Sequence, residues 1–308
     1  MVQAELIDDR GAAAVSDDLF RSPAFLSAEG VTHTLRIESP SRRTLIPLIV
    51  RDVDGSELRD ATSPYGYPGA RVEGDGPPPD PDDVVWAPTE LLTVFVRDRL
   101  GEPTLAAVTR RSTVYLHDPA RDRTIRPRLA EQVRAAERAG WTIQTTAGPD
   151  VGDDELGAFE SAYEETMRRA GAAERYFFGE DYYRAILGFR RSWLVSAQAP
   201  EGQVGAAAIA ATSDGLLHYF LGGTAEASLE QSPFKTVVVA MLNLADELGL
   251  PLNLGGGVEP GDGLERFKRG FANAELPFNT HEIVCERDEY DRLSAGIDAE
   301  GFFPAYRA

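Results

Sequence analysis

Over the first half of the chain, apolar positions alternate with polar ones or gather in short runs. VTHTLRIES (31–39) and RTLIPLIVRD (43–52) are rich in β-formers and are separated by Ser-Pro-Ser-Arg, which predicts a hairpin-like pair of strands. ATSPYGYPGA (61–70) is turn-rich and aromatic, and GDGPPPDPDD (74–83) carries too much proline for regular structure, so it is expected as a surface loop. PTLAAVTRRSTVYLHD (103–118) reads as another strand. In the following RPRLAEQVRAAERAG, Leu129, Val133, Ala136 and Ala139 keep helical spacing up to Gly140, and WTIQTT returns as a strand.

AGPDVGDDE (147–155) clusters Gly, Pro and acids without apolar periodicity and is expected as a domain boundary, giving domains of 1–150 and 151–308. Beyond it, Leu156, Phe159, Tyr163 and Met167 form one helical stripe. An aromatic-rich segment, YFFGEDYYRAILGF, leads to strands around RSWLVSAQ, QVGAAAIAAT and GLLHYFLGGT. A long helix over 233–248, a strand over 250–254, a short helix near 263–271 and a last strand in PFNTHEIVCE complete the chain. Each half thus shows antiparallel strands, a helix and a further strand, with no repeat of fixed period. The expected class is α/β, built from two similar layers.

Composition narrows the function. The chain has 308 residues with 43% apolar side chains, enough for a large core. No apolar run reaches the roughly 18 residues of a membrane span, and the N-terminus carries acids where a secretory signal would be basic and then apolar, so a cytoplasmic location is expected. One cysteine, Cys285, excludes an internal disulfide and a Cys-rich zinc site. His33, His117, His218 and His281 show no ligand spacing, so neither a metal nor another cofactor is expected. The net charge of −19 argues against binding nucleic acid by bulk attraction, so a polyanionic partner must be gripped locally. Of the 31 basic residues 29 are Arg, and the two lysines, Lys235 and Lys268, stand out. Lysine offers a compact ammonium with a movable pKa, where arginine offers a planar fork that stays charged.

Ser232-Pro233-Phe234-Lys235 opens the long helix. Ser232 as N-cap and Pro233 at the first position would put Lys235 at the third, beside the positive end of the helix dipole. A cation there is misplaced by about 0.3–1 kcal/mol unless an anion joins it or the side chain turns into solvent. Gly255, Gly256 and Gly257 follow the next strand, either as a close-approach cradle or as a plain loop. Asp262 with Glu265 resembles a capping box, and Leu264, Phe267 and Phe271 anchor one face of the short helix. Lys268, between the two phenylalanines, either snorkels to the surface or meets negative charge developing on an oxygen. Asp262 is a candidate base or only a helix cap. His218 reads as structural. No Walker, nucleophile-elbow or Cys-His pattern is present.

The stretch HYFLGGTAEASLEQSPFKTVVVAMLNLADELGLPLNLGGGVEPGDGLERFKRGF (218–271) resembles the Fem-type, or FemABX, aminoacyl transferases of the GNAT superfamily. AYEETMRRAGAAERYFF (162–178) is similar to the family's Tyr-x-x-Thr-Met helix and its aromatic sequel, and ATSPYGYPG (61–69) resembles a substrate-side loop. The resemblance implies two tandem GNAT-like domains, the first on the acceptor side and the second on the donor side, with the C-terminal end packing back on the first. It implies transfer of an amino acid from the acceptor end of an aminoacyl-tRNA to an amine of a peptidoglycan precursor, a small peptide or an antibiotic intermediate. Lys268 would stabilise the transfer. Lys235, Ser232, Phe234 and Gly255–Gly257 would hold the donor and its phosphate, and Tyr65, Tyr67 and Phe267 would touch the acceptor. The chain departs from the family in having no inserted helical arm, and it lacks a GNAT pyrophosphate loop of Arg/Gln-x-x-Gly-x-Gly/Ala type. Arg-rich runs such as 126–128 could supply a local grip on tRNA or form solvated helix faces. An acyl-CoA-dependent N-acyltransferase and a non-catalytic GNAT-like binding protein are the alternatives.

Overall fold

The computed structural model describes residues 2–308. The chain divides into two compact units, one running to Ser112 and including Pro277–Ala308, the other Thr113–Leu276.

In the first unit the strands are β1 (Val2–Ile7), β2 (His33–Ser39), β3 (Arg42–Asp52), β4 (Arg59–Thr62), β5 (Arg71–Gly74), β6 (Val84–Val85) and β7 (Leu91–Arg97). The helix α1 (Pro23–Ala28) lies between β1 and β2. Pairing runs β6-β1-β2-β3-β4-β7, and β5 joins the far end of β3. The β2–β3 hairpin expected from alternation is present, with Ile37 opposite Thr44 and Leu35 opposite Ile46. Leu35, Ile37, Ile46, Leu48, Val94 and Val96 form its core and are essentially inaccessible to water. Only β1–β6 and β4–β7 are parallel. The C-terminal part of the chain returns through β14 (Ala274–Val284), whose Thr280–Val284 pairs antiparallel with β7, and α7 (Arg287–Ser294). Asp60, wholly buried, anchors the last residues: it accepts from Arg51 Nε at 2.9 Å, from the Tyr306 hydroxyl at 3.3 Å and from Arg307.

The second unit contains the end of β8 (Thr109–His117) from Thr113 on, α2 (Pro127–Arg138), β9 (Thr142–Ala147), α3 (Asp153–Arg169), α4 (Glu180–Leu187), β10 (Ser192–Gln198), β11 (Val204–Ser213), β12 (Leu216–Thr224), α5 (Phe234–Leu248), β13 (Leu252–Gly255) and α6 (Gly263–Arg269). Its sheet runs β8-β13-β12-β11-β10-β9, antiparallel except between β12 and β13. The small side chains of β11 explain how helices cover both faces. Ala206, Ala208 and Ala210 join Val237, Val238 and Met241 of α5 in one core, and their neighbours along the strand point to the opposite face. On β12, Gly223 lets α3 approach so closely that an added Cβ would lie 2.3 Å from the Ala162 carbonyl oxygen.

Each unit is therefore a mostly antiparallel mixed sheet flanked by helices, as the α/β expectation had it. The division falls elsewhere than at 147–155. Gly148–Asp150 forms a 3-10 turn packed against Ser192 and Leu187, and Asp153, Asp154 and Glu155 begin α3 with acids at its positive end. What looked like a linker is a tight connection inside the second unit. The expected strand over 103–118 begins only at Thr109, because Asp98 accepts the Thr104 N–H at 2.8 Å and curls the chain before it.

Candidate functional site

Both lysines lie in the second unit, on elements joined by one aromatic cluster. Tyr219 of β12 packs at 5.7 Å on Phe234, the first residue of α5, and Phe234 lies 6.3 Å from Phe267 of α6, which in turn meets Phe271 at 5.3 Å. Gly222 makes the room: a Cβ there would come within 2.9 Å of both Tyr219 and Phe234.

Lys268 stands at the α6 end of this cluster. Its Nζ donates to the Gly256 carbonyl at 2.9 Å and lies 5.6 Å from the centroid of Tyr219. The residue as a whole is half-buried, but its ammonium end points inward, and burial pulls its pKa down to about 8 against a partial counter-effect from Asp262. The loop that receives it is shaped by glycine. Gly255 adopts φ +79°, and a Cβ at that position would sit 2.8 Å from Nζ. Buried side chains fix the loop from below. His218 Nε2 faces the Ser213 carbonyl at 3.2 Å, and its Nδ1 faces the Asn253 amide nitrogen at 3.1 Å. Asn253 Oδ1 then accepts the Gly255 N–H at 2.8 Å. This alternation needs a neutral ring carrying its proton on Nε2. His218 is thus structural, as its strand position suggested, and Asn253 links it to the lysine cradle.

Asp262 does not have the geometry of a base. One carboxylate oxygen accepts the Glu265 N–H at 2.6 Å, and the other accepts Val258 N–H at 2.7 Å and Glu259 N–H at 3.1 Å. These backbone bonds hold its pKa below the usual carboxylate value, so it caps α6 and folds the glycine loop over the helix start. Its partner Glu265 receives the Gly261 N–H at 2.6 Å and the Tyr115 hydroxyl at 2.8 Å. Burial, then the bond to Glu265, raises the Tyr115 pKa. Nothing local in the sequence marks Tyr115 for this contact, because it is 150 residues away along the chain.

Lys235 also differs in detail from expectation. Ser232 is not the N-cap: its backbone takes φ +51°, and its hydroxyl donates to the Leu229 carbonyl at 3.1 Å, away from the helix. Pro233 occupies the cap position with no side-chain cap, and Lys235 is the second helical residue. The Glu226–Ser228 turn delivers the chain through this tight bend, with Ser232 N bonded back to Ser228 and Leu229. Burial and the nearby Arg128, at the start of α2, both lower the Lys235 pKa. Among the described residues neither Lys235, at the start of α5, nor Arg128, at the start of α2, has an acidic partner, so the two like charges act on each other without compensation. The expected phosphate-binding residues Phe234, Lys235 and Gly255–Gly257 therefore fall on elements around one cluster, together with Phe267.

Tyr65 and Tyr67 belong to the first unit. Tyr65 is about a third exposed, with its N–H donating to Glu29 at 2.8 Å, and Tyr67 packs edge-on against Phe20 at 5.7 Å and Phe278 at 5.1 Å. Among the described residues no group of three or more His, Cys, Asp or Glu is placed to hold a metal, and no helix is long and apolar enough to cross a membrane.

Residues 123–269 match the family model of the acetyltransferase (GNAT) domain, a span that contains both lysines. The structure of FemX is similar over 92% of this chain and 96% of its own, with a TM-score of 0.64 and 12% identity. L-PGS from Bacillus licheniformis is similar over 85% of this chain and 86% of its own, with a TM-score of 0.56 and 14% identity. The C-terminal domain of a putative lysylphosphatidylglycerol synthetase from Agrobacterium fabrum covers 89% of this chain and 88% of its own, with a TM-score of 0.57 and 16% identity. No curated protein sequence matches the chain. The GNAT-domain match thus lies within the second unit, and the fold of the chain as a whole is similar to that of FemX, the Fem-type likeness expected from residues 218–271.

Proposed function

We propose that the chain is an acyltransferase that moves the amino acid of an aminoacyl-tRNA onto the amine of a small peptide, a peptidoglycan precursor or an antibiotic intermediate, with the second unit taking the donor. The observation that carries this reading is that the two lysines of the chain are both partly desolvated cations of the second unit, on helices whose Phe234 and Phe267 share one aromatic cluster. One is an uncompensated cation, Lys235 with Arg128, at a helix N-terminus, and the other is the desolvated Lys268. A phosphate near the tRNA 3′ end would relieve the repulsion between Lys235 and Arg128 and meet the positive end of the α5 dipole. The acceptor nitrogen attacks the ester carbonyl carbon. The bond to the ribose oxygen then breaks, and the proton lost by nitrogen ends on that oxygen. Lys268 donates to the oxyanion or to the leaving ribose oxygen, where a partly desolvated ammonium is worth more than one in water. A pKa of about 8 lets it be charged near neutrality and still exchange its proton readily. Asp262, saturated by backbone, takes no part as base.

The match to an acetyltransferase domain favours one further reading, transfer from an acyl-CoA, whose pyrophosphate would suit the same cationic helix start. Incubation with charged tRNA and candidate amines, followed by mass spectrometry, separates the two. The tRNA reading expects an aminoacyl mass gain that ribonuclease abolishes. Ribonuclease-resistant product, or turnover of acyl-CoA without tRNA, overturns it.

A further inference from the structure

The parallel ladder between β12 and β13 has only two rungs, Leu217–Leu252 and His218–Asn253, and beyond them the strands no longer pair. Both arms of this fork lead to Lys268. The β12 arm carries Tyr219, whose ring centroid lies 5.6 Å from Nζ, and the β13 arm leads to the Gly256 carbonyl that Nζ bonds. At the fork stands a pair of polar side chains that packing alone does not call for. Leu217, Leu252 and Leu254 belong to the core shared with α5, so His218 and Asn253 point to the opposite face of the sheet, where they are 2% and 1% exposed. Apolar residues would fill these places without the cost of burying an imidazole and an amide.

What the pair does is set the end of β13. The Ser213 carbonyl keeps the ring proton on His218 Nε2, which leaves Nδ1 as an acceptor. Asn253 Nδ2 donates to it across the fork at 3.1 Å, and Oδ1 is thereby turned to its own chain, where it accepts the Gly255 N–H at 2.8 Å. Such a bond to the backbone two residues on is a turn that asparagine favours. It coincides with the break in register between β13 and β8 at Asn253 and Gly255, and with the left-handed backbone of Gly255. The next carbonyl, that of Gly256, receives Lys268. An amide flipped by half a turn would set Nδ2 against the Gly255 N–H, donor against donor, and His218 prevents that flip.

We infer that Asn253, locked by His218, is a positioning residue for Lys268: it holds the turn whose Gly256 carbonyl draws the ammonium inward. The role rests on Lys268 acting in the proposed transfer, while the placement of the ammonium is measurable without any substrate.

The test follows ¹³Cε-labelled lysine in the full chain through a pH titration. In the parent, Lys268 should titrate near the value of about 8 that burial gives it. Asn253→Ala removes the turn, so the ammonium loses its carbonyl and swings to water on its half-buried stem. Its titration should move at least halfway back to the ordinary 10.5, with Lys235 unmoved. Asn253→Ser, whose hydroxyl can accept the same N–H, should restore most of the parent behaviour. His218→Leu strips the acceptor from Asn253 and should act like Asn253→Ala, whereas His218→Asn keeps an acceptor in the place of Nδ1 and should act like the parent. Both His218 variants lose the ring and the Ser213 bond, so a merely structural role would lower Tm in both and affect the lysine alike; they carry the test if Asn253→Ala does not fold. With charged tRNA, Asn253→Ala should lose at least tenfold in kcat while KM stays within twofold. A Lys268 titration unchanged in Asn253→Ala, the same titration in His218→Leu and His218→Asn, or a kcat within twofold of an active parent overturns the inference. A parent that transfers nothing from tRNA counts against the donor reading alone, because the lysine titration stands without it.

Discussion

Replacing Lys268 by Met keeps the length of the side chain and removes its charge, so it isolates what holding an ammonium in this cradle costs. The ordinary lysine value is 10.5 and the folded value is about 8. At about 1.4 kcal/mol per pH unit, protonating the folded lysine is disfavoured by at most about 3 kcal/mol, and water reaching its stem reduces this to about 2 kcal/mol. Because the folded value lies below the unfolded one, the unfolded chain binds more protons between the two. Stability therefore rises with pH across that window, and below about 8 the cost is fully present. Urea unfolding of both proteins at a series of pH values measures it. Lys268→Met should gain on the parent by about 2 kcal/mol more near neutral pH than near the unfolded lysine pKa. The loss of the bond to the Gly256 carbonyl adds an offset that does not follow this titration. A difference that stays flat with pH refutes the desolvated cradle.

Three further outcomes follow from named contacts. Lys235→Met should stabilise the protein at low salt by about 0.3–1 kcal/mol of relieved helix-end repulsion, seen as a higher Tm, and added pyrophosphate should raise the Tm of the parent but not of the variant, both read by thermal melts. Gly255→Ala forces a side chain into φ +79° and against the Lys268 ammonium, so it should cost about 1–2 kcal/mol in urea unfolding and depress any transfer rate. Asp60→Asn leaves Arg51 and Arg307 facing a neutral amide, so it should destabilise the first unit by about 3 kcal/mol and open residues 300–308 to proteolysis.

Much of this architecture was legible in the chain because its signals are local. Helical spacing in 126–140 and 154–171, the β-rich runs of the second half and the glycine stops all correspond to elements, within the usual fraying of ends. The rarity of lysine singled out two cations that both lie in the second unit, Lys268 against Tyr219 and Lys235 beside Phe234 of the same aromatic cluster. Other features were hidden because they depend on long-range pairing. β1 gave no clear strand signal, and α7 is polar enough to pass for loop. Ser232 carries a good N-cap side chain, yet the preceding turn forces its backbone into the left-handed region and aims the hydroxyl elsewhere. Asp262 could be base or cap from sequence, and only the three backbone donors around its carboxylate decide the matter. Tyr115, Tyr219 and Asn253 enter the cradle through contacts that no spacing rule encodes.

The presence of only two lysines makes the central claim directly measurable. Protein carrying ¹³Cε-labelled lysine should show two side-chain resonances, assigned by Lys235→Arg and Lys268→Arg. Addition of a stable tRNA analogue bearing an amide-linked 3′ aminoacyl group should shift both, the Lys235 signal through a phosphate and the Lys268 signal through the acyl linkage. If both resonances stay in place with this analogue, or move only with an acyl-CoA, the donor assigned to the second unit is wrong.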